Sequence, residues 1–450
     1  MSGIYKEQIL AVEPVGVEPV ADAQRHGRAR SLFAIWFSAN AEIATWMVGV
    51  FVVALYGSDL RSAAVGIVIG NLVGFGLLGV LAILGPRYGV PQMVSSRLAF
   101  GLRGNVAPAT LAFLAGIGWF AISTIFGAYA LQSITGLPYA ACLAIVIVLQ
   151  IVLAVYGYNM IHWFEGVCVA LLAAGFVLLA VKTLPAAAWS APFNPHAPLA
   201  GGGPAAGFVF ATTLAFSYAT GWIPYASDYS RYLPRSTPPR AVWWYSFAGC
   251  ALPCIVLEIM GAATVTAVPN VDLSSAIPTQ AIAIALGSGA VAKVVLATVV
   301  LGTLAANCMN LYSGALAALV AFDVRLKRAA AAAIVGILGA ALAAAGANPR
   351  QTADTYTNFL LLLSYWVAPW AAVVIFDAIL HRGQERATTG VPAWRSGVWA
   401  WLAGIAASVP FWNQAWFTGP FAKAFPSAGD LSYYVGFGVA AAIVVATRAC

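Results

Sequence analysis

Ionisable side chains are rare in this 450-residue chain, and the few that interrupt its apolar runs are the ones that could do chemistry. WFSANAEIATW (36–46) gathers Ser38, Asn40, Glu42 and Thr45 into one polar stretch. A carboxylate there could accept two hydrogen bonds from the face of an amino-substituted ring, or carry a proton once it is withdrawn from water. Glu258, inside the apolar run LPCIVLEIMG (252–261), is a second candidate proton carrier; the alternative is a structural hydrogen bond to a neighbouring helix. In SYATGWIPYASDYSRYLP (217–234), Gly221 and Pro224 weaken helical continuity. Asp228 and Arg231, three residues apart, fit an ion pair on a helix surface and a place in an inner gate. Asn307 and Asn310 in ANCMNLYSG (306–314) offer donors and acceptors to a polar ring edge, or to a neighbouring helix. Glu165 and His162, near a helix start in IHWFEG (161–166), read as structural residues.

The elements that must position these groups follow from composition. Hydrophobic residues make up 62% of the chain and charged residues 8%, with a mean hydropathy of +0.87. A soluble surface needs roughly 25% charged residues, so lipid is the solvent that suits this chain. A span takes about 20 apolar residues. Such runs lie near 32–55, 62–84, 107–131, 138–158, 162–183, 206–232, 241–266, 290–320, 329–346, 355–380, 396–416 and 431–447. The reading is an all-α integral membrane protein with about twelve spans. Residues 1–30 are expected to be a flexible cytoplasmic tail, residues 31–450 the membrane domain, and 270–288 a short amphipathic helix on an external face.

With the N-terminus inside, 17 of the 22 Lys and Arg residues fall on the cytoplasmic side. Both termini are therefore expected in the cytoplasm and the protein in a plasma membrane, the bacterial inner membrane being the type, acting as a monomer. The net charge of +7 is spread over short loops and forms no basic stripe for nucleic acid. The four His are scattered, which argues against a membrane enzyme, and the six Cys show no paired spacing. No metal site is suggested. Five of the cysteines lie in apolar runs, where they are expected to be small buried hydrophobes.

The two interrupted spans, the first and the sixth, are what an inverted repeat predicts, each half supplying one broken helix beside a central site. The halves are expected near 31–183 and 206–380, followed by two more helices at 396–447.

WFSAN (36–40), GPRYGVPQMVSSRLAFG (85–101), GIGWFAIS (116–123), GWIPYASDYSRYLP (221–234) and ANCMNLYSGAL (306–316) resemble, in order and spacing, signatures of the nucleobase–cation symporters, purine/cytosine permease branch. The resemblance runs from about residue 30 to 380. It implies a LeuT-like fold with a five-plus-five inverted repeat, alternating access, and symport of a nucleobase or related heterocycle with Na⁺ or H⁺, without another cofactor. Cytosine, a purine and an aminopyrimidine are the types implied; an amino acid or a hydantoin- or allantoin-like compound is the alternative. On these positions Trp119 and Trp222 match aromatics that sandwich the ring, Ser123 stands where relatives carry an amide, and Asn307 is implied as a substrate contact. The resemblance also implies a cation site from first-span carbonyls, Ser38 to Ala41, and an adjacent hydroxyl pair in the eighth span. That pair is Gly302 and Thr303 here, so one hydroxyl is missing. Many relatives are neutral at Glu42, which marks it as the residue that recognises substrate or carries the coupled proton.

Overall fold

The computed structural model describes residues 9–268, 282–283, 286–287, 289–346, 352–384 and 386–447. Among the described residues nine helices are long and apolar enough to cross a membrane, and a tenth crossing consists of two pieces bent by 53°. Two shorter apolar helices, Gly397–Phe411 and Ser432–Thr447, complete the series of twelve expected spans. The eleventh is shorter than expected. Its α-helix ends at Ser408, and Asn413 and Thr418 then pair across a hairpin-like turn. The expected amphipathic helix at 270–288 lies almost entirely outside the described residues.

The first span is α1, Ser31–Asn40, and α2, Ile43–Ala54. Ala41 (φ −81°, ψ 63°) and Glu42 (φ −134°, ψ 170°) leave helical geometry between them, so Glu42 occupies the N-cap position of α2. The sixth span is α-helical over Gly203–Thr220 and continues as a 3₁₀ helix over Ile223–Asp228. Pro224 carries no N–H to extend the α-helical ladder, which explains the change of winding there.

Lipid tails offer no hydrophobic gain for helix association, so close backbone approach has to supply contact. Gly66, Gly70 and Gly74, four residues apart, form a stripe on the second span, Leu60–Ala82, facing Ala211, Ala215 and Ala219 of the sixth. A Cβ at Gly66 would lie 2.7 Å from that of Ala211. Gly49 of α2 likewise meets the backbone of Glu258 in the seventh span, Pro239–Ala267, and Gly261 of that span meets the carbonyl of Trp46. The third span, Val106–Thr135, packs on the eighth, Ala290–Phe322, with Gly116 against the Asn310 carbonyl and Gly127 against Thr303. The most apolar window of the sixth span is 89% buried and that of the fourth, Tyr139–Tyr156, only 28%, so the broken span is central and the fourth is peripheral. Cys142, Cys168, Cys250, Cys254 and Cys308 are free and buried, as expected of small hydrophobes.

Part of the tail expected to be flexible is instead packed, over residues 13–26. Residues 13–26 lie across one end of the bundle, where Val20 is buried and its amide donates to the Gly89 carbonyl. The Glu13 carboxylate meets Arg231 at 3.0 Å and Arg328 at 3.2 Å, and accepts from the hydroxyls of Tyr312 (3.0 Å) and Tyr232. Arg25 donates to the Pro86 carbonyl at 2.6 Å. A carboxylate placed against two buried guanidiniums gives this polar segment a reason to order.

Candidate functional site

The break in the first span opens the site. Glu42 is fully buried, and its Oε1 accepts from the Tyr218 hydroxyl at 3.3 Å. Tyr218 in turn accepts from Thr45 at 2.6 Å, whose hydroxyl also contacts the Asn40 carbonyl at 2.6 Å. The Ser123 hydroxyl faces the same carboxyl group without closing a hydrogen bond, and Glu42 Oε2 has no partner among the described residues. One turn before Ser123, the Trp119 indole meets Tyr218, Tyr356 and Phe359 edge-on, with ring centroids 5.4, 5.9 and 5.3 Å away. Glu42, Ser123 and Trp119, chosen from sequence, therefore converge. Tyr218 and Tyr356 were missed; the signal for Tyr218 is its place three residues before Gly221, on the turn entering the break.

Trp222 is also buried, but its ring turns to Trp36 at 5.7 Å, and Trp36 packs on Tyr229 at 5.2 Å. No ring contact joins Trp119 to Trp222 among the described residues. The two indoles flank the break in the sixth span from different neighbours.

The amides of the eighth span reach towards protein. Asn307 donates to the Phe120 carbonyl at 3.0 Å and to the Thr124 hydroxyl at 3.1 Å, and Asn310 donates to Asn307 Oδ1 at 3.1 Å. Thr124 bonds Gln150 at 2.8 Å, so a chain of polar groups ties spans three, four and eight. In this conformation Asn307 serves as interhelix glue, while the Asn310 Oδ1 is buried without a partner.

The expected cation ligands separate. Gly302 faces the first-span break, where a Cβ would lie 2.5 Å from the Ala41 carbonyl oxygen. Thr303 instead packs on Gly127 of the third span and spends its hydroxyl on the Val299 carbonyl at 3.0 Å. Successive helical residues point about 100° apart, so one position can face the break while the next cannot. Ser38 donates to the backbone carbonyl of Glu165 at 2.8 Å. Glu165, expected to be structural near a helix start, lies two turns into the fifth span, Tyr158–Thr183, and is fully buried beside the break. His162 packs on the Tyr158 ring.

Glu258 accepts from Asn71 of the second span at 2.7 Å, the structural bond that was its alternative reading, and keeps Oε1 unpartnered. The expected Asp228–Arg231 helix-surface pair does not form. The 3₁₀ helix ends at Asp228, so Arg231 leaves that helix and pairs with Glu13, donating also to Tyr312 at 2.9 Å. Asp228 accepts from the Gln92 amide at 2.8 Å, and Gln92 Oε1 accepts from Ser227 at 2.7 Å. These contacts join the GPRYGVPQ and SDYSR stretches. A groove of about 1390 Å³, lined by Arg240, Trp243, Trp244 and Arg382 among others, lies at the ends of spans two, seven and ten, away from this cluster.

Residues 19–436 match the model of a family described as permease for cytosine/purines, uracil, thiamine and allantoin. YxlA of Bacillus subtilis, provisionally named a purine-cytosine permease, is 28% identical over 448 residues, covering 96% of this chain and 94% of its own. The purine-cytosine permease fcyB of Emericella nidulans is 27% identical over 461 residues, covering 96% and 87%. Among solved structures, Mhp1, a nucleobase-cation-symport-1 family transporter in a closed conformation with bromovinylhydantoin bound, superposes with a TM-score of 0.76 at 21% identity, over 96% of this chain and 94% of that one. The fold is the all-α, LeuT-like membrane arrangement with its first and sixth helices broken.

Proposed function

The chain belongs to the family of permeases for cytosine/purines, uracil, thiamine and allantoin, and from that premise we propose that it is a secondary active symporter of a planar nitrogen heterocycle. The observation that carries the reading is the meeting of Glu42, Ser123, Trp119 and Tyr218 where both broken helices come together. An indole offers a face to a flat ring, and stacking adds about 0.5–1.5 kcal/mol beyond burial. A carboxylate with a free oxygen accepts hydrogen bonds from ring or exocyclic N–H groups. That pair of properties favours cytosine, an aminopurine or an aminopyrimidine over a hydantoin- or allantoin-like ring or an amino acid. Trp222 and Asn310, whose buried Oδ1 has no partner, are the further substrate contacts in this reading. A coupled cation drives accumulation by alternating access.

The halves 31–183 and 206–380 are the two inverted repeats, and the protein works as a monomer in the plasma membrane. The distribution of Lys and Arg supports both termini lying in the cytoplasm. The Asp228 and Arg231 contacts then lie at the inner gate, Arg231 being held by the N-terminal segment. The test is a titration of purified protein with a panel of nucleobases, followed by tryptophan fluorescence with and without Na⁺ and across pH. Saturable quenching by an amino-bearing base supports the reading, and no response to any heterocycle overturns it.

A further inference from the structure

Two buried carboxyl groups flank the first-span break, and they face opposite ways. Glu42 reaches Tyr218 and Ser123, in the sixth and third spans, beside Trp119. Glu165 reaches the eighth span, where the Cys308 thiol donates to its Oε1 at 3.5 Å. Ser38 of α1 anchors the backbone at the same point, donating to the Glu165 carbonyl at 2.8 Å. Glu165 is fully buried, and its Oε2 has no partner among the described residues. The groups that face it are Ser38 and Glu42 from the first span, Cys308 from the eighth, and Cys168 one turn along its own helix. None of them is a cation. The only charged group among them is another carboxylate.

An isolated ionised carboxylate in such surroundings costs far more than the fold can offset. The group must therefore hold a cation of its own. Na⁺ is a hard ion that takes several oxygen ligands, and the position nearest the break in the eighth span is Gly302, which brings none. The neighbouring Thr303 hydroxyl is already spent on Val299. Around the carboxyl group stand two thiols, the Ser38 hydroxyl, which is spent on the Glu165 carbonyl, and Glu42, which is turned to Tyr218. This set is poor in free oxygen ligands for sodium but makes a dry place for a proton.

We propose that Glu165 is the proton-coupling residue of this transporter, leaving Glu42 to recognise the substrate. The inference rests on the heterocycle-symport reading for its transport consequences, while the proton on Glu165 can be tested without substrate. Ser38 supplies the link: its hydroxyl joins α1 to the Glu165 backbone, so loss of the proton would place a charge against the first-span break. That charge is the differential interaction that alternating access requires.

The experiment uses the full chain in two measurements. Infrared difference spectra of the purified protein across pH should show the C=O stretch of a protonated buried carboxyl that disappears in Glu165→Gln and persists in Glu165→Asp. In liposomes, with cytosine as probe, an inward proton gradient should drive accumulation by wild type. Glu165→Gln should lower that accumulation by about tenfold or more while cytosine counterflow continues. A Glu165→Gln protein that accumulates cytosine on a proton gradient as well as wild type overturns the proposal. So does accumulation by wild type driven by Na⁺ alone with the proton gradient collapsed, or an unchanged carboxyl band in Glu165→Gln. If wild type binds no heterocycle, the functional reading falls, and the infrared band still decides whether Glu165 holds a proton. Glu165→Asp, which keeps the carboxyl group, separates loss of the proton site from loss of fold.

Discussion

Gly221 lies against the Trp119 indole where the sixth span breaks: a Cβ at 221 would lie 2.6 Å from the indole Nε1. The absence of a side chain on the sixth span thus lets the third-span aromatic reach the central cluster. We expect Gly221→Ala to displace the indole and weaken heterocycle binding. Trp119→Ala should weaken it by about tenfold, or 1.4 kcal/mol. Fluorescence titration of both variants measures the effect; unchanged affinity in Trp119→Ala would remove this residue from the site.

Asn307 should matter first for stability. It donates to Phe120 and Thr124 across the helix interface, and deleting a buried amide that leaves partners unmet costs about 1–3 kcal/mol. Asn307→Ala is expected to lower the thermal midpoint in detergent. A loss of affinity with an unchanged midpoint would instead make it a substrate contact.

Removing the Glu13 carboxylate leaves the Arg231 and Arg328 guanidiniums, both almost fully buried, without their anion. Breaking one partner of a buried pair costs about 3–5 kcal/mol. Glu13→Ala should unfold at lower temperature, and a cysteine placed at Ser313, beneath that end, should become reactive to a soluble maleimide. A variant as stable and as closed as wild type would contradict a structural role for the segment.

The glycine stripe of the second span makes a sharper prediction. Gly70 faces Ala215, whose Cβ would lie 2.8 Å from one added at 70. Gly70→Leu should abolish monodisperse expression, while Gly76→Leu, whose Cβ meets nothing nearby, should be tolerated. Size-exclusion profiles of the two variants decide it.

Asp59 caps the second span by accepting from the Ser62 amide at 3.0 Å. Partial burial opposes its charge, but the amide bonds win and hold its carboxyl below the ordinary range. The cap is therefore present above the ordinary carboxylate pKa and is lost as pH falls through the depressed value. Asp59→Ala should cost about 0.5–2 kcal/mol at neutral pH and flatten the acid limb of a thermal stability profile.

Most of the architecture was legible because it rests on one dominant force. Runs of about 20 apolar residues became helices, and the polar stretch around Glu42 and the Gly221–Pro224 pair became the two interruptions. Glu42, Ser123 and Trp119 stood out as a buried charge and a motif. Tyr218 and Tyr356 did not, since a tyrosine in an apolar span looks like any other membrane residue until the fold turns its hydroxyl inward. Thr303 and Gly302 were read as one unit, yet helical rotation sends them to different neighbours. Glu165 does lie within two turns of a helix start, but its burial was not legible there, because it comes from the first and eighth spans, far away in sequence. The N-terminal segment read as solvated because it is polar; the partners that hold it, Arg231, Tyr312 and Arg328, are more than 200 residues away in sequence.

The closure made by Glu13 also says something about how the protein is made. Its partners lie at the start of the fifth span, just beyond the sixth, and in the eighth and ninth, the Tyr312 hydroxyl being 299 residues away in sequence. Residues 13–26 are synthesised before these partners, so the full set of Glu13 contacts cannot form until Arg328 has been inserted. A ribosome stalled before the ninth span would leave Glu13 without Arg328, while the contacts of Val20 and Arg25 with the loop after the second span could already form.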